Sequence, residues 1–424
     1  MRQALHGLTT RGRCFLGAGI AAALCALVFG QRDLLRVATL VLALPLVSAV
    51  VVSRTRYRIA SSRRLEPARA PVGSDARVVL RLENVSRLPT GLLLLEDRIP
   101  YVLGARPRFV LDRVEPRGTR DVTYSLRSEA RGRFSLGPLS IRLTDPFGMC
   151  ELVRSFTNTD AFVVTPVVER LPALPLGGDW AGSGESKARS IASAGEDDVV
   201  TREYRRGDDL RRIHWRSTAH RGELMVRREE QPWESRGLLL LDTRVQAHRG
   251  DGPASSFEVA VSAAASLGVH LGRSGFSLDL VTDGGRRITS GSADLGEAQE
   301  DSLLDALAVV EMSTNRSLQL AGPVLRAAGE GLTVAVLGAL TVEEAAELVR
   351  YRHGAGSVLA VALDVDTWRT AAARERAPLA DPADPVAVLR GAGWRVVTLV
   401  AGQRLADVWP FVASSPVSFT VGAP

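Results

Sequence analysis

The hydrophobic pattern changes twice along the chain, and each change predicts a different kind of structure. Cys14 to Gly30 is an apolar run of about 17 residues and Leu34 to Val52 a second of about 19. Each is close to the roughly 20 residues that a helix needs to cross a hydrocarbon core. Arg36 is the charge in the second run, near its start, where a long side chain reaches the interface. Gln31-Arg32-Asp33 alone separates the runs, so a two-helix hairpin is expected. From Tyr57 to about Thr165 the period drops to two. VVLRLEN, LLLLEDRIP, FVLDRVEP, DVTYSLRS, GRFSLGPLSIRLTDPFG and AFVVTP, punctuated by Pro and Gly, predict the strands of an all-β, immunoglobulin-like sandwich. Asn84 and Asp97 follow strand-like runs as turn formers, and DPFG at Asp145 to Gly148 predicts a tight turn.

The rhythm changes again after residue 168. Leu171 to Gly195 is rich in Pro, Gly and Ser and predicts a linker. Ser183, Ser186 and Ser190 lie near Lys187 and Arg189, but a flexible loop does not hold the geometry of a Ser-Lys nucleophile pair. Further on, strands alternate with helices. Gly237 to Leu241 is a buried strand ending in Asp242, Ser255 to Gly272 a helix, and Phe276 to Thr282 a strand. Leu295 to Glu311 is a helix, Thr333 to Leu337 a strand, and Thr341 to His353 a helix with Thr341 as cap and Glu344 completing a capping box. Ser357 to Leu363 and Trp394 to Leu399 are the last strands. Such alternation predicts an α/β doubly wound, parallel sheet covered on both faces. The expected organisation is therefore an anchor over 1–56, a β-sandwich over 57–168, a linker over 169–195 and an α/β domain over 196–424.

Charge fixes the orientation. Arg2, Arg11 and Arg13 precede the first apolar run, and Arg54, Arg56, Arg58, Arg63 and Arg64 follow the second, against Arg32 and Arg36 at the turn. Both termini and the main body are expected to be cytoplasmic, on the inner face of a bacterial plasma membrane. A cleaved signal peptide does not fit the pair, since the second run would still anchor the chain. The net charge of +6 and pI near 9.8 do not imply a nucleic-acid partner, because Lys187 is the single lysine and the basic count is arginine. Of three cysteines, Cys14 and Cys25 lie in the first apolar segment and Cys150 is left over, so no disulfide framework is implied.

One stretch, Gly195 to Gln231, stands apart. Thr201 to Glu230 holds nine arginines against six acids, with Tyr204, Ile213 and Trp215 interleaved. Mixed signs among aromatics predict a packed polar network, which the planar fork of Arg suits. Arg202, Tyr204, Asp208, Arg212 and Trp215 are expected to interlock at the junction of the two domains. The order Arg202, Glu203, Tyr204, Gly207, Asp208, Arg211, Ile213, Trp215, Thr218, Ala219, then Leu224, Val226 and Arg227, resembles the hallmark of a bacterial family called domain of unknown function 58. His220 departs from it, standing where that family usually has Arg. The resemblance implies a membrane-tethered protein with a von Willebrand factor type A-like domain. It also implies as partner a MoxR-type AAA+ ATPase, with a transglutaminase-like membrane protein as a further candidate.

Type A domains of that kind hold a divalent metal through D-x-S-x-S after the first strand, where a carboxylate and two hydroxyls supply hard oxygen ligands. Here the run is Asp242-Thr243-Arg244-Val245-Gln246, with Arg244 and Gln246 in place of the two serines. A cation beside the carboxylate opposes metal entry, so no metal is expected and an Asp242–Arg244 or Asp242–backbone interaction is. Asp279 and Asp283 are read as solvated turn carboxylates. His214 and His220 lie near Asp208 and Asp209 with no third ligand in reach; His248, His270 and His353 are scattered. No P-loop, dinucleotide-binding glycine fingerprint or G-x-S-x-G elbow occurs, so neither a cofactor nor a catalytic residue is assigned. Two functions remain: a membrane-anchored scaffold or adaptor that binds a protein partner in envelope-related assembly or maturation, or an undescribed hydrolase whose site is the Arg202–Trp215 stretch, with Asp208, Arg212 and His214 in its cleft.

Overall fold

The computed structural model describes residues 7–54, 59–87, 89–90, 92–144, 147–173, 201–203, 213, 215–227, 235–289, 297–328, 331–351, 356–369 and 384–414. The chain divides into two compact units, Met1–Thr165 and Pro166–Pro424.

The first unit opens with two apolar helices, α1 (Thr10–Phe29) and α2 (Arg32–Arg54). Thr9 caps α1 by accepting from the Gly12 amide, and Gly30, at φ 65°, closes it in the left-handed conformation that costs a glycine nothing. Two residues of the expected Gln31-Arg32-Asp33 link are thus the first turn of α2. The helices pack against each other where Gly19 meets Leu42; a Cβ at Gly19 would lie 2.7 Å from Leu42 Cγ. Ala26, Ala38 and Ala49 are buried, whereas Leu24, Leu27, Val28 and Leu40 stay 60–80% exposed.

Ten strands follow: β1 (Ile59–Glu66), β2 (Arg69–Pro71), β3 (Asp75–Asn84), β4 (Leu93–Asp97), β5 (Arg108–Leu111), β6 (Thr119–Arg127), β7 (Gly132–Leu136), β8 (Leu139–Thr144), β9 (Glu151–Ser155) and β10 (Asp160–Thr165). They form sheets of order β1-β3-β6, β2-β10-β7 and β5-β4-β8-β9. Leu80 and Leu126, Leu136 and Phe162, and Leu95 and Ile141 enter one core from the three sheets. The run GRFSLGPLSIRLT splits at Gly137-Pro138 into β7 and β8, strands of different sheets.

Asp97 is not a turn former. It is fully buried at the end of β4 and holds the guanidinium of Arg63, from Nη2 to Oδ1 at 2.7 Å and Nε to Oδ2 at 3.2 Å. Arg63 also reaches Asp160 at 2.6 Å, and Tyr124 Oη donates to Asp97 Oδ2 at 2.7 Å. Burial and the neighbouring Asp97 carboxylate both push the Tyr124 phenol above its usual value. Arg63, one of the flanking arginines, is therefore part of the β-domain's interior.

In the second unit, residues 167–172 lie along the α/β domain. Glu169 N donates to Ser266 Oγ at 2.9 Å, Trp409 Nε1 donates to Pro172 O at 3.1 Å, and Leu171 is buried. Residues 169–172 of the segment expected as a linker are thus packed on this domain, and 174–195 falls outside the described residues. Next come β11 (Thr201–Glu203), α3 (Trp215–Arg221), β12 (Met225–Arg227), β13 (Ser235–Leu241), α4 (Ser256–Arg273), β14 (Phe276–Thr282), β15 (Arg287–Thr289), α5 (Glu297–Ala308), α6 (Gly322–Ala327), β16 (Leu332–Leu337), α7 (Val342–Tyr351), β17 (Val358–Leu363), α8 (Pro385–Gly391), β18 (Arg395–Leu399), α9 (Leu405–Val408) and α10 (Phe411–Ser414).

Six of these strands make one sheet of order β15-β14-β13-β16-β17-β18, parallel except for β15. Counted from β13 the order is 3-2-1-4-5-6, that of a doubly wound sheet whose connections reverse between β13 and β16. Leu239 and Leu241 pack with Phe257 and Val261 of α4, Leu303 and Leu307 of α5 and Trp409 on one face. Leu238 and Leu240 pack with Leu325 of α6, Leu348 of α7, Leu389 of α8 and Trp394 on the other. Burial on both faces explains why β13 and β16 read as continuous apolar runs rather than alternating ones.

Candidate functional site

The carboxyl end of β13 lies where the sheet reverses direction, and ligands of such sheets occupy that crevice. Asp242, the next residue, is fully buried. Its carboxylate is taken by Arg244, with Nε to Oδ1 at 2.9 Å and Nη2 to Oδ2 at 2.9 Å, the bidentate fork of a strong charge-assisted pair. The Arg244 amide (3.1 Å) and the Gly338 amide (3.4 Å) add backbone donors. Arg244 is itself 1% exposed, and its Nη1 contacts Glu344 Oε1. Burial works against the guanidinium's charge, but the Asp242 and Glu344 carboxylates outweigh it and raise its pKa above the ordinary value.

Glu344 does two things at once. Its Oε2 accepts from the Thr341 amide at 3.0 Å while the Glu344 amide donates to Thr341 Oγ1 at 3.3 Å, a reciprocal capping box at the start of α7. The end of β13 and the start of α7 are thereby tied through one guanidinium. Gly338 is required beside them: a Cβ there would sit 2.2 Å from Ala247 O.

A second polar group adjoins the first. Asp283 is fully buried, not solvated, and accepts from the Thr243 amide at 3.1 Å, from the Thr243 hydroxyl, from Ser313 Oγ at 2.7 Å and from Asn315 Nδ2 at 2.9 Å. Burial pushes this carboxyl upward, yet the donors from Ser313, Thr243 and Asn315 prevail and hold it below the usual carboxylate range. Asp279 instead pairs with Arg287 across β14 and β15 at 3.0 Å. Gln246 is exposed and donates to Arg316 O at 2.6 Å.

His248 completes the buried set. Its Nε2 lies 2.8 Å from the Asp242 carbonyl, which only accepts, so Nε2 carries the proton and Nδ1 accepts from Ser256 Oγ at 3.2 Å. Burial lowers its pKa, against the opposing pull of that carbonyl. Nothing in the spacing of His248 pointed to this role; the signal lay in a polar residue soon after a buried strand. Around the crevice, Val245 is 51% and Met312 48% exposed, and they flank the bridge that pairs Arg244 with Ser313.

Of the hallmark residues, β11 pairs antiparallel with β12, setting Arg202 opposite Val226 and Glu203 opposite Met225. Ile213 and Met225 are buried, and Thr218 Oγ1 accepts from the Met225 amide at 3.0 Å. Trp215, expected inside an interlocked cluster, is 69% exposed at the start of α3. Tyr204, Gly207, Asp208, Arg211, Arg212 and His214 lie outside the described residues, as do the side chains of Arg202, Glu203 and Arg227. His220 is exposed and His270 packs edge-on against Trp409. No group of three His, Cys, Asp or Glu side chains converges as a metal site among the described residues.

The class defined by this architecture is a doubly wound α/β domain whose switch-point carboxylate is neutralised from within. Residues 200–367 match the family described as protein of unknown function DUF58. No curated protein matches it. Among solved structures it is similar to the CARDB domain of a Pyrococcus furiosus protein (12% identity, 26% of this chain and 88% of that one, TM-score 0.19). It is similar also to the ApaA protein of Bordetella pertussis (11%, 26% and 94%, TM-score 0.21). A FixG-related protein of Vibrio parahaemolyticus shows 11%, 25% and 95% with TM-score 0.18. Likenesses of that size carry no argument here.

Proposed function

We propose that the protein is a membrane-anchored scaffold whose α/β domain, a von Willebrand factor type A-like fold, docks a protein partner without a metal ion. The observation that carries this reading is the Arg244 guanidinium seated on Asp242. In a metal-dependent type A domain the carboxylate after the first strand helps to hold a divalent cation. Here both Asp242 oxygens are occupied by a side chain of the same chain, so recognition passes to the rim, where Val245 and Met312 are exposed. An antiparallel third strand in a 3-2-1-4-5-6 sheet supports the type A assignment. The three sheets around one core support an immunoglobulin-like spacer.

Membrane anchorage rests on α1 and α2, of 20 and 23 residues, whose outward Leu and Val side chains form an apolar surface too extensive for water. The partner proposed is a MoxR-type AAA+ ATPase, with a transglutaminase-like membrane protein as a second candidate partner, in envelope-related assembly or maturation. The full chain in detergent is tested against the purified ATPase by surface plasmon resonance. Val245→Asp with Met312→Asp is expected to weaken binding at least about tenfold, or about 1.4 kcal/mol, with a melting temperature close to the parent's, since exposed substitutions rarely change stability. Undiminished binding by the double variant would refute the rim as the docking surface.

A further inference from the structure

The start of α1 is fastened to the β-domain with no intervening linker. Residues Gly7 to Thr9 run antiparallel to Met149 to Glu151. The Glu151 amide donates to Gly7 O at 2.7 Å, the Thr9 amide donates to Met149 O at 2.9 Å, and Leu8 bridges Cys150. Thr9 Oγ1 donates to Gly148 O at 2.7 Å. The first turn of the helix then lies directly on the β8–β9 turn: a Cβ at Gly12 would fall 2.3 Å from Met149 O. The absence of a side chain at Gly12 permits the contact.

This fixes the depth of the turn. Cys14, where the apolar run begins, is five residue steps beyond Thr9, and at 1.5 Å per step the rise is about 7.5 Å. Each headgroup layer is about 5–7 Å thick. A turn joined at Thr9 therefore sits at the membrane surface. Phe147 on that turn is 58% exposed, and Arg11 and Arg13 are exposed on the adjoining helical turn. The end of α2 reaches β1 over residues 55–58, a span of at most about 18 Å, so the second helix also enters the bilayer close to the β-domain.

We propose that Phe147 to Met149, just ahead of β9, seat in the headgroup layer of the cytosolic leaflet, with Phe147 at the acyl boundary and Arg11 and Arg13 on the phosphates of acidic lipids. The inference rests on α1 and α2 spanning the membrane. An aromatic ring beside arginines at the headgroup level is the composition that interfacial segments use. The β-domain is then a pedestal of fixed height rather than a tethered module.

The test is photocrosslinking of the full chain in vesicles of phosphatidylethanolamine and phosphatidylglycerol, with benzoylphenylalanine replacing Phe147. A lipid adduct at that position is the expected result. Alkaline extraction of the same vesicles separates the two ideas. If the chain is released, the membrane-spanning reading fails. If it stays in the bilayer and position 147 gives no lipid adduct, or an adduct to protein alone, the seating fails. Gly12→Val, examined on protein with the parent's far-UV spectrum and melting temperature, is expected to cut the adduct several-fold; an unchanged yield overturns the role of the helix contact.

Discussion

Arg244→Ala removes one side chain and strands two carboxylates. Asp242 is fully buried and Glu344 is 14% exposed at its side chain, and both are held by the same guanidinium. Breaking a buried pair by deleting one partner costs about 3–5 kcal/mol, because the charge left behind is uncompensated. For a domain of this size each kcal/mol moves the midpoint by about 2–4 °C, so the α/β transition is expected to fall by about 6–20 °C. Asp242→Ala should cost less, since Arg244 keeps Glu344 and the Ala339 carbonyl (3.3 Å). The order of the two variants is the informative quantity. Scanning calorimetry of the full chain in detergent gives both midpoints. A drop of less than about 2 °C for Arg244→Ala, or a larger loss for Asp242→Ala, refutes the view that Arg244 is the shared cation of this crevice.

Three further outcomes follow from the same geometry. Arg244→Ser with Gln246→Ser turns the run into Asp242-Thr243-Ser-Val245-Ser, and this double variant is expected to show saturable Mg²⁺ or Mn²⁺ binding by calorimetry where the parent shows none; saturable binding by the parent, lost on Asp242→Ala, contradicts the reasoning. His248 is held neutral with its pKa below the 6.5 of a free imidazole, so its contribution is complete above about pH 6.5 and is lost as pH falls toward the lowered folded value. The melting temperature should therefore drop less between pH 7 and pH 5 in His248→Gln than in the parent, and an equal drop in both contradicts the assignment. A reporter fused after Pro424 is expected to be active only in a cytoplasmic form, and activity of a periplasmic form reverses the topology.

The parallel sheet was legible because strands buried on both faces must be continuously apolar. GLLLL at Gly237 to Leu241 and the run from Thr333 to Leu337 announced themselves, and Phe276 to Thr282 carries the predicted bounds. The capping box of Thr341 and Glu344 was legible for a similar reason, since it is wholly local. What failed was non-local. Strand β1, IASSRRLE, alternates half-buried and exposed residues and places Arg63 inward, so its composition looked like a charged flank; its pairing with Asp97 spans 34 residues. Asp283 read as a turn carboxylate because its donors Ser313 and Asn315 lie 30 and 32 residues away. Strand β15 has three residues and no period to detect.

The arginine seated on Asp242 decides what the crevice is able to do. A divalent cation dissociates, so a crevice that held one would have an empty and a filled form. A guanidinium is covalently present and stays charged throughout the accessible pH range. Arg244 also spends its fork on Asp242 and its remaining nitrogen on Glu344, leaving no strong donor aimed outward. The crevice thus becomes a fixed joint between β13 and α7, and any regulation must act elsewhere. If the partner engages the rim at Val245 and Met312, its binding should be indifferent to chelator in the absence of nucleotide. Loss of binding on adding EDTA under those conditions would return the site to the metal-dependent class.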